Sequence, residues 1–247
     1  MAQVLENLLR DDEGRCVVDT LVDVHGMSMT AGVPANADAY PNLGVSVLHA
    51  LTSYAPRAAW QATAQGMGSM DVATQAAQPE FDGALITKLL ATREADEVDD
   101  LTGAVVPRMV PVPGRAQAMA ELALSWARLA RTPAGQRKVA IVFHHHPPRN
   151  DRIGCASGLD TFESVRQLLI RMAEEGYDVP EQFETGDDIA QVLLSCLTCD
   201  QRWLTPEQMH ERAEAHADLE ISRPWYRGLP DSVRECMDRN WGPHPGT

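Results

Sequence analysis

Runs of apolar residues along the chain alternate between strand-like and helix-like spacing, and this pattern divides the sequence into two mixed segments. In the first segment, the best strand candidate is Val45–Leu51, which turn residues bound on both sides. The elements predicted for this segment are strands at 16–18, 21–24, 45–51 and 84–90 and helices at 56–65 and 71–77. The acid-rich stretch 93–105 is predicted to be a solvated surface loop.

A long amphipathic helix is predicted to connect the two segments. Between Gly114 and Arg131, apolar residues recur at spacings of three and four, so they share one face. The second segment opens with Lys138–Phe143, an apolar, β-branched run that is typical of a strand covered on both faces in a parallel sheet. Helices are then predicted at 160–175 and 186–194, and two more in the tail from Thr205 to Gly246.

These elements predict an α/β fold with two Rossmann-like segments, each a three-layer unit around a mostly parallel sheet. The predicted boundaries are 1–112 for the first segment, 113–135 for the connecting helix and 136–247 for the second segment with its helical C-terminal extension.

Composition and charge narrow the classes of function. The formal net charge is −14, which disfavours nucleic-acid binding because phosphate backbones attract basic surfaces. No apolar run approaches the ~18 residues of a membrane helix, and the acidic N-terminus does not resemble a signal peptide, so we expect a cytoplasmic protein. The five cysteines have no disulfide spacing. Cys196 and Cys199 are interpreted as thiols at a helix end, and a redox or zinc site is the less favoured alternative.

The chain has two lysines, Lys88 and Lys138, and neither lies in the glycine-rich sequence of a phosphate-binding Walker A loop. If the protein takes part in an ATP-driven process, we therefore expect another chain to bind the ATP.

Candidate chemistry lies mainly after the predicted strand Lys138–Phe143, where open α/β sheets bind ligands. Side chains alternate along extended chain, so His144 and His146 would share a face, and paired imidazoles suit cobalt, nickel or zinc. From the residues alone, polar loop histidines without a metal are the favoured interpretation. In the following loop, Arg152 could clamp a carboxylate and amides near Gly154 could bind an anion.

Two acids, Glu80 and Asp82, flank a phenylalanine in the stretch Pro79–Gly83. Carboxylates at the entrance to a strand can act as bases or as metal ligands, and an ordinary Asp-Gly turn is an equal alternative.

Several stretches together resemble the family of cobaltochelatase and magnesium chelatase large subunits. The most specific stretch is Lys138–Pro148, continued by Arg152-Ile153-Gly154 and Gly158–Thr161. The other matching stretches are Trp60 with Gly66, Asp71–Gln75, Pro79–Gly83, Ala123–Leu129, Ser164, Gly176-Tyr177, Leu229-Pro230 and Trp241–Gly246. The resemblance covers essentially the whole chain. Family members are several times longer, so the sequence is expected to be an internal fragment.

The resemblance implies insertion of Co²⁺, as a substrate metal, into the corrin ring of hydrogenobyrinic acid a,c-diamide in cobalamin synthesis. It also implies partners: AAA+ ATPase and adaptor subunits bind ATP and Mg²⁺, while the tetrapyrrole is held by the large subunit. A magnesium–porphyrin chelatase, a non-catalytic scaffold or tetrapyrrole-binding domain, and a free-standing periplasmic-type binding protein are the alternatives.

Residue roles follow from the same resemblance. Glu80 and His144 are expected as catalytic residues in a cleft between the segments, one presenting the metal and the other accepting protons from the ring nitrogens. His144 and His146 are the expected metal ligands, although only His144 falls on the family's histidine position. Arg152 and the amides near Gly154 are expected to hold the carboxylate side chains of the ring, and Asp160 is also expected to bind the substrate.

Overall fold

The computed structural model of the chain describes residues 2–27, 38 and 40–245. It divides into two compact units, Met1–Pro133 and Ala134–Thr247. In the described residues, no helix is both long and apolar enough to cross a bilayer.

A four-stranded sheet forms the centre of the first unit. Its strands are β1 (Thr20–Asp23), β2 (Ser46–Ser53), β3 (Leu85–Val98) and β4 (Val105–Pro111), in that spatial order. Strands β1, β2 and β3 are parallel, whereas β4 pairs antiparallel to β3. The predicted strands at 21–24, 45–51 and 84–90 are confirmed, with β3 extending eight residues further than expected.

The acid-rich stretch 93–105 is not the solvated loop that its charge predicted. Residues up to Val98 continue β3 and pair with β4, for example Thr92 with Val110 and Glu94 with Arg108. Backbone hydrogen bonds to β4 hold this hairpin, so its side chains can remain polar and exposed. Strand β4 was missed because its residues are almost all exposed and show no apolar alternation.

In the described residues of the first unit, one short α-helix precedes β1 and three lie between β2 and β3. They are α1 (Ala2–Leu9), α2 (Arg57–Gln61), α3 (Ser69–Val72) and α4 (Gln78–Phe81), with a π-helical stretch at Ala73–Ala77 between the last two. The connecting helix α5 (Arg115–Arg131) agrees with its prediction and packs Met119 against Leu48 and Ala50 of the sheet. A second apolar cluster joins Tyr40, Leu43, Val47 and Ala84.

The second unit is helical in its described residues. Its helices are α6 (Thr161–Glu174), α7 (Gly186–Ser195), α8 (Pro206–Arg212), α9 (Leu219–Arg227) and α10 (Asp231–Trp241). The first two agree with the predictions. The tail forms three helices where two were predicted, because Ala213–Asp218 separates α8 from α9.

The predicted strand Lys138–Phe143 and its parallel sheet are not observed. This stretch is irregular, and the nearest strand pairing is a single bridge between His145 and Ile153. All four strands in the described part of the chain belong to the first unit. A strand needs a hydrogen-bonding neighbour, and a β-branched run cannot supply one by itself. The mixed α/β class is therefore confirmed, but the Rossmann-like detail is not, and the second segment shows no sheet in its described residues.

Candidate functional site

The three consecutive histidines of the second unit alternate in exposure. His144 and His146 are exposed, and their ring centroids are 6.4 Å apart. His145 is partly buried, and its Nε2 lies 2.9 Å from the carbonyl oxygen of Arg149, which accepts the hydrogen bond. The pair His144 and His146 offers two imidazoles to solvent, and no described group of three His, Cys, Asp or Glu side chains is arranged around a metal position.

The loop after the histidines is held by Gly154. Its amide donates to the carbonyl oxygen of His144 at 2.7 Å, and its carbonyl oxygen accepts from the Thr161 hydroxyl. Gly154 has a φ of +66°, and a Cβ there would lie 3.0 Å from Thr161 Cγ2 and 3.2 Å from Phe143 Cδ1. Only glycine fits this position without strain, so Gly154 fixes the loop, and its own amide is already engaged.

The other two predicted substrate-binding residues, Asp160 and Arg152, differ in how far their side chains are already engaged in contacts within the protein. Asp160 is the N-cap of α6, and its carboxylate accepts from the amide of Glu163 at 3.1 Å. Arg152 is exposed, and its Nε lies 3.9 Å from Asp151 Oδ2, a carboxylate that also binds Arg149 at 2.9 Å. Arg152 therefore keeps an exposed positive charge beside this loop.

Glu80 lies in α4 of the first unit, and its side chain is exposed. The preceding Pro79 is buried, and the following Asp82 is 4% exposed, so the helix end is fixed while Glu80 faces solvent. His144 belongs to the second unit. A common cleft for Glu80 and His144 stays a prediction.

A buried polar cluster in the first unit was missed by the sequence analysis. Asp23, the last residue of β1, is 6% exposed and binds three side chains. Its Oδ2 accepts from the Tyr40 hydroxyl at 2.7 Å and lies 3.1 Å from His49 Nδ1. Its Oδ1 lies 2.5 Å from His25 Nδ1 and accepts from the His25 amide at 3.0 Å. We call Asp23, His25, Tyr40 and His49 the Asp23 cluster.

Burial would raise the pKa of the Asp23 carboxyl, but the hydrogen bonds from His49, Tyr40 and His25 outweigh it and hold that pKa well below its ordinary value. Burial and the neighbouring Asp23 carboxylate raise the pKa of Tyr40 well above its ordinary value. At neutral pH the cluster therefore contains a carboxylate and a phenol. The only sequence signal was a polar residue, Asp23, within an apolar strand-like run.

The thiols of Cys196 and Cys199 line a cavity of about 520 Å³ together with Phe143, His145 and Ile153. Cys196 ends α7, and its Sγ lies 3.1 Å from Glu214 Oε1. The Glu214 carboxylate, helped by burial, raises the pKa of the Cys196 thiol against an opposing contact from Ser195. Both thiols are free, and Cys196 is held in the unreactive protonated form, which fits the structural interpretation.

Comparison with known proteins identifies the family to which the chain is similar. The CobN/Magnesium Chelatase family matches residues 1–247. The CobN component of aerobic cobaltochelatase from Pseudomonas aeruginosa is 30% identical over 80% of this chain and 16% of its own length. A magnesium-chelatase component from Rhodobacter capsulatus is 28% identical over 72% of this chain and 16% of its own length.

A solved structure agrees with the sequence comparison. The catalytic subunit of cobaltochelatase from Mycobacterium tuberculosis superimposes with a TM-score of 0.69 at 30% identity, over 93% of this chain and 19% of that one. The chain thus spans about a fifth or less of the length of these relatives. With the match extending over all 247 residues, the chain belongs to the CobN/magnesium chelatase family.

Proposed function

We propose that this chain is part of the large subunit of a metal chelatase that inserts Co²⁺ into the corrin ring of hydrogenobyrinic acid a,c-diamide. The family match over residues 1–247 carries this proposal. Two relatives named as CobN subunits of aerobic cobaltochelatase, at 27% and 30% identity, favour cobalt.

ATP and Mg²⁺ are assigned to separate AAA+ ATPase and adaptor subunits. The chain has two lysines, and neither lies in a Walker A loop, so its own residues offer no phosphate-binding loop of that kind. The tetrapyrrole is then held by the large subunit, and the partners couple ATP hydrolysis to metal insertion.

The described geometry supports distinct roles for the proposed site residues. His144 and His146 present exposed imidazoles that can take a borderline divalent metal such as Co²⁺. The exposed carboxylate of Glu80 can accept protons that leave the ring nitrogens. Arg152 can bind a peripheral carboxylate directly. Gly154 and Asp160 act by fixing the loop and the start of α6 beside Arg152.

Replacement of Glu80 and His144 in the complete chelatase tests these roles. We expect Glu80→Gln and His144→Ala each to slow Co²⁺ insertion by about 10²-fold or more, because proton transfer by a positioned group contributes typically ~10²–10⁴-fold. The absorbance change of the corrin measures the rate. Glu220→Gln removes another exposed carboxylate and is the matched control. Wild-type rates in both site variants would contradict the assignment.

A magnesium–porphyrin chelatase is the second candidate, favoured by the magnesium-chelatase relative from Rhodobacter capsulatus. The complete enzyme distinguishes the two when it is offered Co²⁺ with the corrin and, separately, Mg²⁺ with protoporphyrin.

A non-catalytic scaffold is the third candidate, because Gly154 and Asp160 both make structural hydrogen bonds. Titration of the 247-residue chain with Co²⁺ and with a corrin carboxylate tests it, and binding of neither supports the scaffold.

A further inference from the structure

The Asp23 cluster holds one histidine at the protein surface, outside the residues assigned above. His25 follows β1, and its side chain is 53% exposed, whereas Asp23 beneath it is almost fully buried. Strands β1 and β2 are parallel, and Asp23 pairs in register with His49. His25 therefore lies at the carboxyl edge of the parallel strands, the edge where open α/β sheets bind ligands.

The hydrogen bonds of Asp23 determine which ring nitrogen of His25 carries the proton. The Asp23 carboxylate has four contacts, and towards an ionised carboxylate each partner can only donate. The partners are the Tyr40 hydroxyl, the His25 amide, His25 Nδ1 and His49 Nδ1. Because His25 Nδ1 lies 2.5 Å from Asp23 Oδ1, the oxygen that also accepts from the His25 amide, this geometry places the His25 proton on Nδ1. The neutral ring then has its lone pair on Nε2.

The Nε2 atoms of the two histidines have different surroundings. His49 is fully buried, and its Nε2 has no hydrogen-bond partner. His25 is half-exposed, and no described residue hydrogen-bonds its Nε2. Beside it, a Cβ added to Gly26 would lie 3.0 Å from the Tyr54 hydroxyl, so Tyr54 borders the same loop.

We propose that His25 binds a divalent first-row transition-metal ion through Nε2, with the buried carboxylate of Asp23 orienting the ring. Metal-binding histidines almost always donate their other ring N–H to a carboxylate, a carbonyl or water, and this pairing is already formed here. The net charge of −14 favours the approach of cations over anions to the chain as a whole. One imidazole leaves the remaining coordination positions to water, so binding is weaker than at a site with three protein ligands. The proposal is independent of the chelatase assignment.

Histidine-labelled protein and long-range ¹H–¹⁵N NMR test the proposal, with Zn²⁺ alone as the probe. The experiment uses the 247-residue chain with His144→Ala and His146→Ala, which removes two other exposed imidazoles. Without metal, we expect His25 and His49 both to show the Nδ1–H tautomer. Added Zn²⁺ should shift the His25 Nε2 resonance saturably and leave buried His49 unchanged. His25→Gln assigns the signal.

Two variants separate ring orientation from general stability. Asp23→Asn should weaken Zn²⁺ binding at His25 about 10–100-fold, the usual effect of removing such a carboxylate. Tyr40→Phe removes a different hydrogen bond to the same carboxylate and should leave the His25 affinity nearly unchanged. An Nε2–H tautomer for His25, or no saturable shift of its Nε2, overturns the proposal even if Asp23→Asn fails to fold.

Discussion

Asp23 shows how a single buried charge can organise its surroundings. Its carboxylate accepts from a phenol, an amide and two imidazoles, so every strong acceptor position is used. A buried carboxylate without these donors would take up a proton instead. The sequence showed the polar residue within an apolar strand, but Tyr40 and His49 are distant in sequence, and only the parallel pairing of β1 and β2 brings His49 to it.

The low pKa of Asp23 makes the first unit sensitive to acid. Its folded pKa lies below the ordinary 3.8, so the folded state binds fewer protons and protonation favours unfolding. The stabilisation is complete above about pH 4 and is lost as the pH falls towards the folded pKa. Asp23→Asn should therefore remove stability at pH 7, by about 1–3 kcal/mol or more, because it leaves buried donors unpaired.

Urea unfolding at pH 7 and pH 3 measures this effect. The difference in stability between wild type and Asp23→Asn should be smaller at pH 3 than at pH 7. Asp19→Asn is the control, since Asp19 pairs with the exposed Arg131 and should change little. An Asp23→Asn protein as stable as wild type at pH 7 contradicts the argument.

Helices and strands that bury a regularly spaced apolar face could be predicted from the sequence. Strands that are held mainly by backbone hydrogen bonds could not. Helix α5 and strand β2 bury one face or both, so their spacing indicated them. The β3–β4 hairpin is exposed along β4, where pairing with β3 replaces any apolar pattern. For the candidate site, the alternation of side chains placed His144 and His146 on one face, and the structure adds that both are exposed. The Gly154 amide donates a hydrogen bond to the carbonyl oxygen of His144, and the spacing of residues along the sequence does not predict this contact.

Helices α6 and α7 pack closely at Gly186. A Cβ there would lie 2.6 Å from the backbone nitrogen of Glu163, a distance that real contacts do not reach. We expect Gly186→Ala to push the helices apart and lower stability by about 1–3 kcal/mol, the usual cost of overpacking, despite alanine's better helix propensity.

Thermal unfolding of Gly186→Ala measures that cost. Gly228→Ala is the matched control, because its Cβ would meet only carbonyl oxygens at 3.4 and 3.5 Å. Equal melting temperatures for the two variants would be inconsistent with a close contact between α6 and α7.

At the scale of the whole molecule, charge is strongly unbalanced, because the chain has 35 acidic side chains and 21 basic ones. Many surface ion pairs are local, such as Arg171 with Glu174 and Arg149 with Asp151, and they leave this excess of acids uncompensated. Repulsion among these acids works against compact structure.

Salt should therefore stabilise the chain. Raising NaCl from about 0.01 M to about 0.1 M shortens the Debye length from ~30 Å to ~10 Å, which screens the repulsion between distant acids. We expect the melting temperature to rise over this range, and to rise equally with KCl, since screening depends on ionic strength and not on the cation. A fall in melting temperature would mean that local ion pairs dominate the electrostatics.

The irregular run at Lys138–Phe143 has a practical consequence for work with the isolated chain. Val142 is 89% exposed and Val139 55%, and their backbone takes part in no strand among the described elements. An apolar, β-branched segment with an open edge is a template for strand addition between molecules. We therefore expect concentrated solutions of the 247-residue chain to aggregate through this segment, and Val142→Lys to oppose this aggregation.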